Sequence, residues 1–296
     1  MYARVNGTSL FFDVVGAKLA VVGDELKEKC TLIALHGGPG IDHLVLRSFF
    51  DRFSDIAQVV YIDLRGNGRS IGSLPESWTL AQLGDDIRAL CDQLGIHRPI
   101  VLGQSFGGFV AQSYAILHPA HPSGLILSST AARMSLSEHF DRVERAGGAE
   151  ARAAAEQVWI VGDEQSYVAF DRLVLPLLVS KSATQDMWAA HVIRRYDVNI
   201  HFQKAPGGEL HDVDFRSDLR KVRCPTLVLS GADDLVTPPG AAQDILDALP
   251  QDLARFECLT HCRHGVFRDD PEMTDCIIRS FIAEVEVREA AMRQPG

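Results

Sequence analysis

The chain has 296 residues, 46% of them hydrophobic and 23% charged, which is typical of a globular protein and excludes a disordered or collagen-like chain. Its 29 Lys and Arg residues against 39 Asp and Glu residues give a net charge of -10, which argues against binding to nucleic acids or anionic membranes. The longest apolar run, Leu173 to Val179, is much shorter than the roughly 20 residues of a membrane-spanning helix, and the first residues lack a secretory signal, so we expect a cytoplasmic protein.

Short apolar runs rich in β-branched residues alternate with segments of helical period in the first part of the chain. This alternation is typical of parallel strands covered by helices, so the predicted fold class is α/β. One helix is indicated by apolar residues that recur every three or four positions from Leu80 to Leu94, with Asp85, Asp86 and Arg88 facing outward. The strands predicted here are Tyr2 to Val5, Leu10 to Val15, Thr31 to Leu35, Val59 to Asp63, Ile100 to Gly103 and Gly124 to Ser128.

The strand pattern stops at about Ala131 and returns only after Arg220. The segment between them is rich in Ala, Arg and Glu, which predicts a mainly helical insertion. We therefore expect residues 1–130 and 221–296 to form one core domain and residues 131–220 to form a helical cap. The elements predicted after the cap are a strand at Cys224 to Ser230, a helix at Ala241 to Leu249, a strand at Leu253 to Leu259 and a helix at Glu272 to Arg288.

The strongest local signal for chemistry is Gly103-Gln104-Ser105-Phe106-Gly107-Gly108, between a buried strand and a helical segment. This is the G-x-S-x-G pattern of a nucleophilic serine, in which a sharp turn exposes the hydroxyl. Glycines are needed because side chains two residues before and after the serine would collide. The helix that starts behind the serine favours negative charge during attack. Ser105 is therefore the candidate nucleophile.

A second glycine loop, HGGPG at positions 36 to 40, also directly follows a buried strand. Glycines expose backbone N–H groups, and such a loop beside the serine can bind the oxyanion of a tetrahedral intermediate. We select the amides of Gly38 and Phe106 for this role and favour Gly38 over Gly37. The alternative is that the loop only ends the strand.

A nucleophilic serine needs a base and an acid, which follow it along the chain in the order serine, acid, histidine when it stands on such a turn. The loop after the strand at Cys224 to Ser230 supplies the acid, for which we choose Asp234 and keep Asp233 as the substitute. The loop after the last strand supplies the base, for which we choose His264 over His261. In the DLRGNGRS segment, we interpret Asp63, Arg65 and Ser70 as a charge-paired structural loop.

Other chemistry is disfavoured. Six cysteines spread over a chain of this length indicate reduced thiols, mostly buried, rather than a disulfide framework. The spacing C-x-x-H-C-x-H at positions 258 to 264 lacks the paired pattern of structural zinc sites. Gly66 and Gly68 are not followed by a glycine at position 71, and no phosphate-binding G-x-x-x-x-G-K-[ST] string occurs. We expect no metal and no organic cofactor.

The motifs HGGPG, DLRGNGRS, GQSFGG, GADDLVTPP and RHGVF, in this order and over nearly the whole chain, resemble the α/β-hydrolase superfamily. More narrowly, HGGPG with GQSFGG is similar to the proline iminopeptidase family of serine aminopeptidases. The resemblance implies a mostly parallel eight-stranded sheet flanked by helices, with a helical cap inserted after the sixth strand. It also implies Ser105 as nucleophile, His264 as base, Asp234 as acid, and an oxyanion hole formed by the amides of Gly38 and Phe106.

The cap is where the resemblance says least. Proline iminopeptidases hold the substrate's free amino group with cap glutamates, and they commonly carry a tryptophan where this chain has Phe106. The acidic candidates for binding the amine, which fit ordinary surface charges equally well, are Glu156, Asp163, Glu164 and Asp197, and we select Glu156 and Glu164. The cap aromatics fit a cap core better than a substrate wall, with Trp159 kept as a candidate substrate contact: Trp159, Tyr167, Phe170, Trp188 and Tyr196.

The expected reaction is acyl transfer to water through an acyl-enzyme on Ser105. The leading substrate is a short peptide or small amide with a free N-terminus, as the resemblance implies. A carboxylesterase or lactonase acting on uncharged small molecules would use the same machinery and remains open. The alternative from another class is a receptor that keeps the fold and binds a small molecule without catalysis. We expect neither nucleic acid nor membrane as a partner, and the oligomeric state is not predicted.

Overall fold

The computed structural model describes residues 1–179 and 191–293. Its strands, in chain order, are β1 (Tyr2–Val5), β2 (Thr8–Val15), β3 (Leu19–Val22), β4 (Glu25–Glu28), β5 (Cys30–Leu35), β6 (Ala57–Ile62), β7 (Ile100–Gln104), β8 (Gly124–Ser128), β9 (Thr226–Gly231) and β10 (Ala254–Leu259). Eight of them form one sheet in the order β1-β2-β6-β5-β7-β8-β9-β10, and β3 and β4 form a separate hairpin.

The large sheet is antiparallel at one end and parallel elsewhere. β1, β2 and β6 pair antiparallel, whereas the strands from β6 through β5, β7, β8 and β9 to β10 pair parallel. β7 and β8 are buried along their whole length, as expected for parallel strands covered on both faces, while buried positions alternate along β2. The predicted mostly parallel eight-stranded sheet is confirmed.

The helices are α1 (Leu44–Phe50), α2 (Leu80–Leu94), α3 (Phe106–Leu117), α4 (Leu136–Ile160), α5 (Glu164–Leu173), α6 (Leu175–Leu178), α7 (Tyr196–Gln203), α8 (Glu209–Asp212), α9 (Pro239–Ala248), α10 (Val266–Asp269) and α11 (Pro271–Arg293). The chain leaves β8, the sixth strand of the large sheet in chain order, and runs through α4 to α8 before it enters β9. α4 is interrupted at Gly148, where φ is 80° and ψ is -178°.

Both faces of the sheet are covered by helices, which creates two apolar cores. Alternate residues of β5 contribute to different cores: Ile33 and Leu35 to one, Leu32 and Ala34 to the other. The first core also contains residues of α2, α3 and α9, and the second contains residues of α1, α10 and α11. When the side chains on both faces of a strand are buried, its sequence is a continuous apolar run. This is why these strands could be predicted from the sequence.

The predicted stripe of α2 is confirmed, but one of its polar residues does not face solvent. Leu83, Ile87 and Leu90 are fully buried, whereas Asp86, expected to face outward, is only 1% exposed. Its carboxylate accepts two hydrogen bonds from the Arg65 guanidinium, at 2.7 Å and 2.8 Å. A buried charge is tolerated when it is paired in this way, and helical periodicity carries no information about a partner from a distant loop.

Three further observations concern the sequence predictions. The hairpin of β3 and β4 was not predicted, because its residues are mixed in polarity and both Val21 and Leu26 are largely exposed.

All six cysteines are free thiols, as expected, but Cys258 and Cys276 are exposed rather than buried. In the described ranges, no helix has the length and apolar character needed to cross a membrane.

Candidate active site

The turn between β7 and α3 carries Ser105 in an unusual backbone conformation. Its φ of 53° and ψ of -115° lie in a region that residues with side chains rarely occupy. The Ser105 amide donates a hydrogen bond to the carbonyl of Ser128, and Thr130 Oγ1 donates one to the carbonyl of Ser105, both at 2.9 Å. These bonds from the neighbouring strand end hold the strained turn in place.

The glycines around Ser105 are required by close backbone approaches. A Cβ atom at Gly103 would lie 2.2 Å from the carbonyl oxygen of Gly107, and one at Gly107 would lie 2.3 Å from that of Leu35. A Cβ atom at Gly108 would lie 2.4 Å from the hydroxyl of Thr130. Contacts this short would force the neighbouring atoms to move, so a side chain at any of these positions would collide, as expected from the motif.

Ser105, His264 and Asp234 are linked by hydrogen bonds in a row. The Oγ of Ser105 lies 2.9 Å from Nε2 of His264, and Nδ1 of the same ring lies 2.9 Å from Oδ2 of Asp234. A carboxylate can only accept, so Nδ1 carries a proton that it donates to Asp234. Nε2 is then the ring nitrogen in place to accept the proton of the Ser105 hydroxyl.

Asp234 is almost completely buried and satisfied by four donors. Its Oδ1 accepts from the amides of Val236 (2.7 Å) and Thr237 (2.9 Å), and its Oδ2 accepts from the Thr237 hydroxyl (2.8 Å) as well as from His264. Burial by itself raises the pKa of Asp234, but the His264 ring and these amides outweigh it and hold the pKa below its ordinary value. The residue is therefore an ionised acceptor for the ring.

The loop that carries His264 is attached to the segment around α6. The His264 amide donates to the carbonyl of Leu178 at 3.1 Å. The neighbouring Arg263 donates through Nη1 to the carbonyls of Pro176 and Val179, each at 3.1 Å. These bonds satisfy carbonyls at the end of a short helix that have no partner within it.

The HGGPG loop lies against the serine. A Cβ atom at Gly37 would be 3.3 Å from Cβ of Ser105, and Gly38, with φ of 115°, borders the same cavity as the serine. The buried His36 ring stabilises this loop: Nδ1 donates to the Gly37 carbonyl at 2.7 Å, and Nε2 accepts from the Leu64 amide at 3.2 Å. Burial lowers the pKa of His36, which agrees with a neutral ring.

Phe106 is the first residue of α3, where backbone N–H groups have no acceptor within the helix. Its amide therefore belongs to the end of the helix that faces Ser105. The Phe106 side chain is buried and packs edge-on against Phe202 of α7, with ring centroids 4.9 Å apart. The side chain thus connects the turn to the helices that precede β9.

The DLRGNGRS segment forms a buried polar network next to the HGGPG loop. Asp63 Oδ1 lies 2.6 Å from Nδ1 of His43 and accepts from the His43 amide at 3.0 Å, while its Oδ2 accepts from the Arg69 amide at 2.8 Å. Ser70 donates its hydroxyl to the Asp63 carbonyl, and Arg65 forms the buried ion pair described above. None of these five residues borders the cavity, in agreement with the structural role predicted for the segment.

The alternative acid and base lie apart from this arrangement. Asp233 and His261 are both exposed on their loops. His261 occupies the left-handed region with φ of 62°, at the turn after β10. Among the described hydrogen bonds, neither side chain reaches Ser105 or His264. In the same described residues, no group of three His, Cys, Asp or Glu side chains could hold a metal ion, and this includes the cluster at positions 258 to 264.

A cavity of about 360 Å³ opens beside Ser105 and His264, within the size range of small-molecule sites. Its lining is mostly apolar. The apolar and aromatic residues that border it are Pro39, Ile41, Val45, Val158, Trp159, Tyr167, Phe170, Leu175, Leu178, Val179, Val192 and Val236. Besides Ser105 and His264, the polar side chains that border it are those of Gln104, His139, Asp171, Arg194, Asn199, Gln203 and Arg268.

Of the three selected cap residues, the structure brings only Trp159 to this cavity. Glu156 does not border it and pairs with Arg152 at 2.8 Å, one helical turn away. Glu164 is exposed in the first turn of α5. The periodicity of a helix shows which residues share a face, but packing against the rest of the protein decides which face points inward, so the choice of glutamates was not determined by sequence.

The other cap candidates have local roles. Asp163 caps α5 by accepting from the Ser166 amide at 2.8 Å, and Asp197 pairs with Arg195 at 2.8 Å. Tyr196 packs on Tyr167, with ring centroids 5.2 Å apart. Trp188 lies outside the described residues. Tyr167 and Phe170, interpreted as cap core, border the cavity and so also form part of its wall.

Sequence analysis did not single out His139, Asp171 or Arg194. A usable signal existed for Asp171, because it lies four residues after Tyr167, which places the two side chains on the same face of α5. Its carboxylate lies 3.3 Å from Nη1 of Arg194, so the two form an ion pair at the cavity. His139 and Arg194 carried no comparable pattern.

Comparisons with known proteins agree with this fold. A family model described as alpha/beta hydrolase fold matches residues 31–271. The chain is 31% identical to the proline iminopeptidase of Lactobacillus helveticus (strain DPC 4571) over 238 residues, which cover 74% of this chain and 78% of the relative.

Solved structures show the same architecture. The crystal structure of proline iminopeptidase from Mycobacterium smegmatis has a TM-score of 0.74 at 21% identity and covers 98% of this chain and 99% of its own. A thermophilic esterase from Thermogutta terrifontis has a TM-score of 0.66 at 24% identity, with 96% and 97% covered. At these identities the likeness concerns the fold alone. The family match and the curated relative confirm the resemblance seen in the motifs, and the chain belongs to the α/β-hydrolase fold family as a proline iminopeptidase-like hydrolase.

Proposed function

We propose that this hydrolase is a serine hydrolase that cleaves a small amide or ester through an acyl-enzyme on Ser105. The observation that carries the proposal is the row of hydrogen bonds from Ser105 through His264 to Asp234, with both links at 2.9 Å. This is the geometry in which a ring nitrogen can take the serine proton while a carboxylate fixes the orientation of the ring.

The reaction needs only these groups and water. Ser105 Oγ attacks the substrate carbonyl while Nε2 of His264 takes the hydroxyl proton, which forms a tetrahedral oxyanion. The bond to the leaving group then breaks, and His264 gives the proton to that group. A water molecule next loses a proton to His264 and attacks the acyl-enzyme, and the proton returns to Ser105 as the acid is released. No metal or organic cofactor enters any step.

We assign the oxyanion hole to the amides of Gly38 and Phe106. Both belong to segments that border Ser105, and the Phe106 N–H lies at the start of α3, whose dipole favours negative charge. We also infer that residues 131–220 act as a cap over a core of residues 1–130 and 221–296. The position of α4 to α8 between β8 and β9, and the cavity walls they supply, support this division.

The leading substrate class is a short peptide or small amide with a free N-terminus. The support comes from the curated relative, which is a proline iminopeptidase. A cavity of about 360 Å³ would accommodate one small acyl group beside the serine.

A carboxylesterase or lactonase acting on uncharged molecules is the second candidate. Two observations favour it: the cavity lining is mostly apolar, and Asp171, the carboxylate on the described part of that lining, is already paired with Arg194. An unpaired carboxylate would be the natural partner for a substrate ammonium group.

Two measurements test these proposals. Relative kcat/KM values on a proline arylamide and on short acyl aryl esters separate the two substrate classes. Reaction with a fluorophosphonate probe tests the nucleophile, because labelling must disappear in Ser105→Ala. An intact wild-type protein that binds small molecules but neither reacts with the probe nor turns over any ester or amide would instead be a receptor.

The assignment of the base is tested by comparing two histidines. His264→Ala should lower kcat by several orders of magnitude, because His264 is the group that contacts the Ser105 hydroxyl among the described residues. His261→Ala is the matched control and should retain activity, since this side chain is exposed on the same loop. Loss of activity in His261→Ala with activity retained in His264→Ala would reverse the assignment.

A further inference from the structure

His139 is a buried histidine that borders the catalytic cavity and takes no part in the acyl-transfer steps. It lies on α4, and its side chain is 2% exposed. Its Nδ1 lies 3.0 Å from the carbonyl oxygen of Leu235, in the loop that carries Asp234. A carbonyl can only accept a hydrogen bond, so Nδ1 holds the proton and Nε2 presents a lone pair.

The ring is also neutral near pH 7, because burial lowers the pKa of His139. Among the described residues, none donates a hydrogen bond to its Nε2. A ring nitrogen with a lone pair on a residue that borders a substrate cavity can accept a hydrogen bond from a donor supplied by the ligand.

Two other acceptors around the cavity are already engaged. The carboxylate of Asp171 is paired with Arg194 at 3.3 Å. The side-chain oxygen of Gln203 accepts a hydrogen bond from the Tyr167 hydroxyl at 2.7 Å. A hydrogen-bond donor of the substrate would have to displace Arg194 from Asp171 or the Tyr167 hydroxyl from Gln203. It could bind Nε2 of His139 without displacing a protein group.

We propose that Nε2 of His139 accepts a hydrogen bond from an N–H or O–H group of the substrate. This bond makes the enzyme prefer substrates that carry such a group over analogues in which carbon replaces it. His139 is thus a residue that determines specificity. The inference rests on the proposed function, since it concerns the molecule that Ser105 attacks.

The test uses two pairs of substrates in which one member lacks the donor. One pair is the prolyl and cyclopentanecarbonyl p-nitroanilides, in which CH₂ replaces the protonated ring nitrogen, so the two members differ in charge as well as in the donor. The second pair is the p-nitrophenyl esters of 2-hydroxybutyrate and butyrate, which tests an O–H donor. The ratio of kcat/KM within each pair is measured for wild type, His139→Phe and His139→Gln.

His139→Phe keeps a planar ring but removes the acceptor. We expect kcat/KM for the donor-bearing member of at least one pair to fall on the order of 10-fold, because its N–H or O–H is then buried without a partner. The donor-free member should change little. His139→Gln should restore part of the preference, since its amide oxygen can accept.

Arg142→Gln is the matched control for a purely structural role. Arg142 Nε bonds to the same Leu235 carbonyl at 3.3 Å, but Arg142 does not border the cavity. Its replacement should leave both ratios unchanged. If His139 only held the loop of Leu235 in place, His139→Phe and Arg142→Gln would each slow the two members of a substrate pair equally.

Equal losses within both pairs, or a wild-type ratio near one in both, would overturn the inference. Fluorophosphonate labelling of each variant keeps this outcome separate from failure of the proposed function. Labelling that persists in His139→Phe shows that Ser105 still reacts, so an unchanged ratio then counts against His139 alone.

Discussion

Nε2 of His264 lies 2.9 Å from Oγ of Ser105, although the two residues are 159 positions apart in the chain. They meet because Ser105 follows β7 and His264 follows β10, and both strands belong to the parallel part of one sheet. Asp234 follows β9, which lies between them in the sheet. Parallel strands end at the same edge, so the three loops converge there, as ligand sites of α/β sheets generally do.

The strained turn at Ser105 predicts that two inactive variants of this residue differ in stability. Ser105→Gly and Ser105→Ala both remove the hydroxyl and should both abolish turnover. Only glycine adopts φ of 53° with ψ of -115° at little cost, so Ser105→Gly should be more stable than Ser105→Ala by about 1 kcal/mol. Urea unfolding measures this difference, and equal stabilities would show that the turn stores no strain.

Gly107→Ala should destabilise the protein by about 2 to 3 kcal/mol, because the new Cβ would lie 2.3 Å from the backbone oxygen of Leu35. The displaced turn should also lower kcat. Gly240→Ala is the matched control: this glycine is also the second residue of a helix, but apart from its chain neighbours and its own helix backbone nothing lies within 4 Å of its Cβ position.

The control should therefore be neutral or stabilise the protein by up to about 1 kcal/mol, as alanine does in helices. Free energies of unfolding in urea and kcat values compare the two variants. If Gly107→Ala behaved like Gly240→Ala in both measurements, the close approach to Leu35 would not constrain the turn.

Asp234 predicts a pH-dependent contribution to stability. Its pKa in the folded protein lies below the ordinary value, so its carboxylate stabilises the fold above the unfolded pKa. This contribution is lost as the pH falls through the folded pKa. The free energy of unfolding of wild type minus that of Asp234→Asn should therefore shrink as the pH falls from about 5 to about 3.

Asp234→Asn should also lower kcat by roughly 10³- to 10⁴-fold, because an asparagine does not hold the Nδ1–H tautomer of His264 as a carboxylate does. Asp233→Asn, one position away and exposed, should retain activity. A stability difference that stays constant over this pH range, or greater loss of activity in Asp233→Asn, would contradict the role assigned to Asp234.

Arg263 is predicted to position the loop of the base through its bonds to the carbonyls of Pro176 and Val179. Arg263→Ala should lower kcat by about 10-fold with a smaller effect on KM, since small displacements of a catalytic group are costly. Arg263→Lys should restore part of the rate by supplying a donor. Arg216→Ala, which breaks an exposed pair with Asp214, is the control and should be silent. A KM effect without a kcat effect would place Arg263 in substrate binding instead.

Much of the fold could be predicted because its determinants are local. The sequences of β7 and β8 are continuous apolar runs because both faces of each strand are covered. Burial on both faces therefore shows directly in their composition. The turn at Ser105 was equally visible, because only glycines permit the backbone approaches at positions 103 and 107. The order of motifs along the chain indicated which two loops supply the acid and the base, and position within each loop favoured Asp234 and His264, with Asp233 kept as a substitute.

The contents of the cavity depended on tertiary structure. Glu156 and His139 lie on the same helix, and no local pattern indicates that His139 borders the cavity whereas Glu156 pairs with Arg152 outside it. Asp86 was likewise misplaced, because its partner Arg65 comes from a loop outside the helix. Periodicity and glycine sterics are properties of neighbouring residues, whereas the inward face of a helix and the partner of a buried charge depend on segments that meet only after the chain has folded.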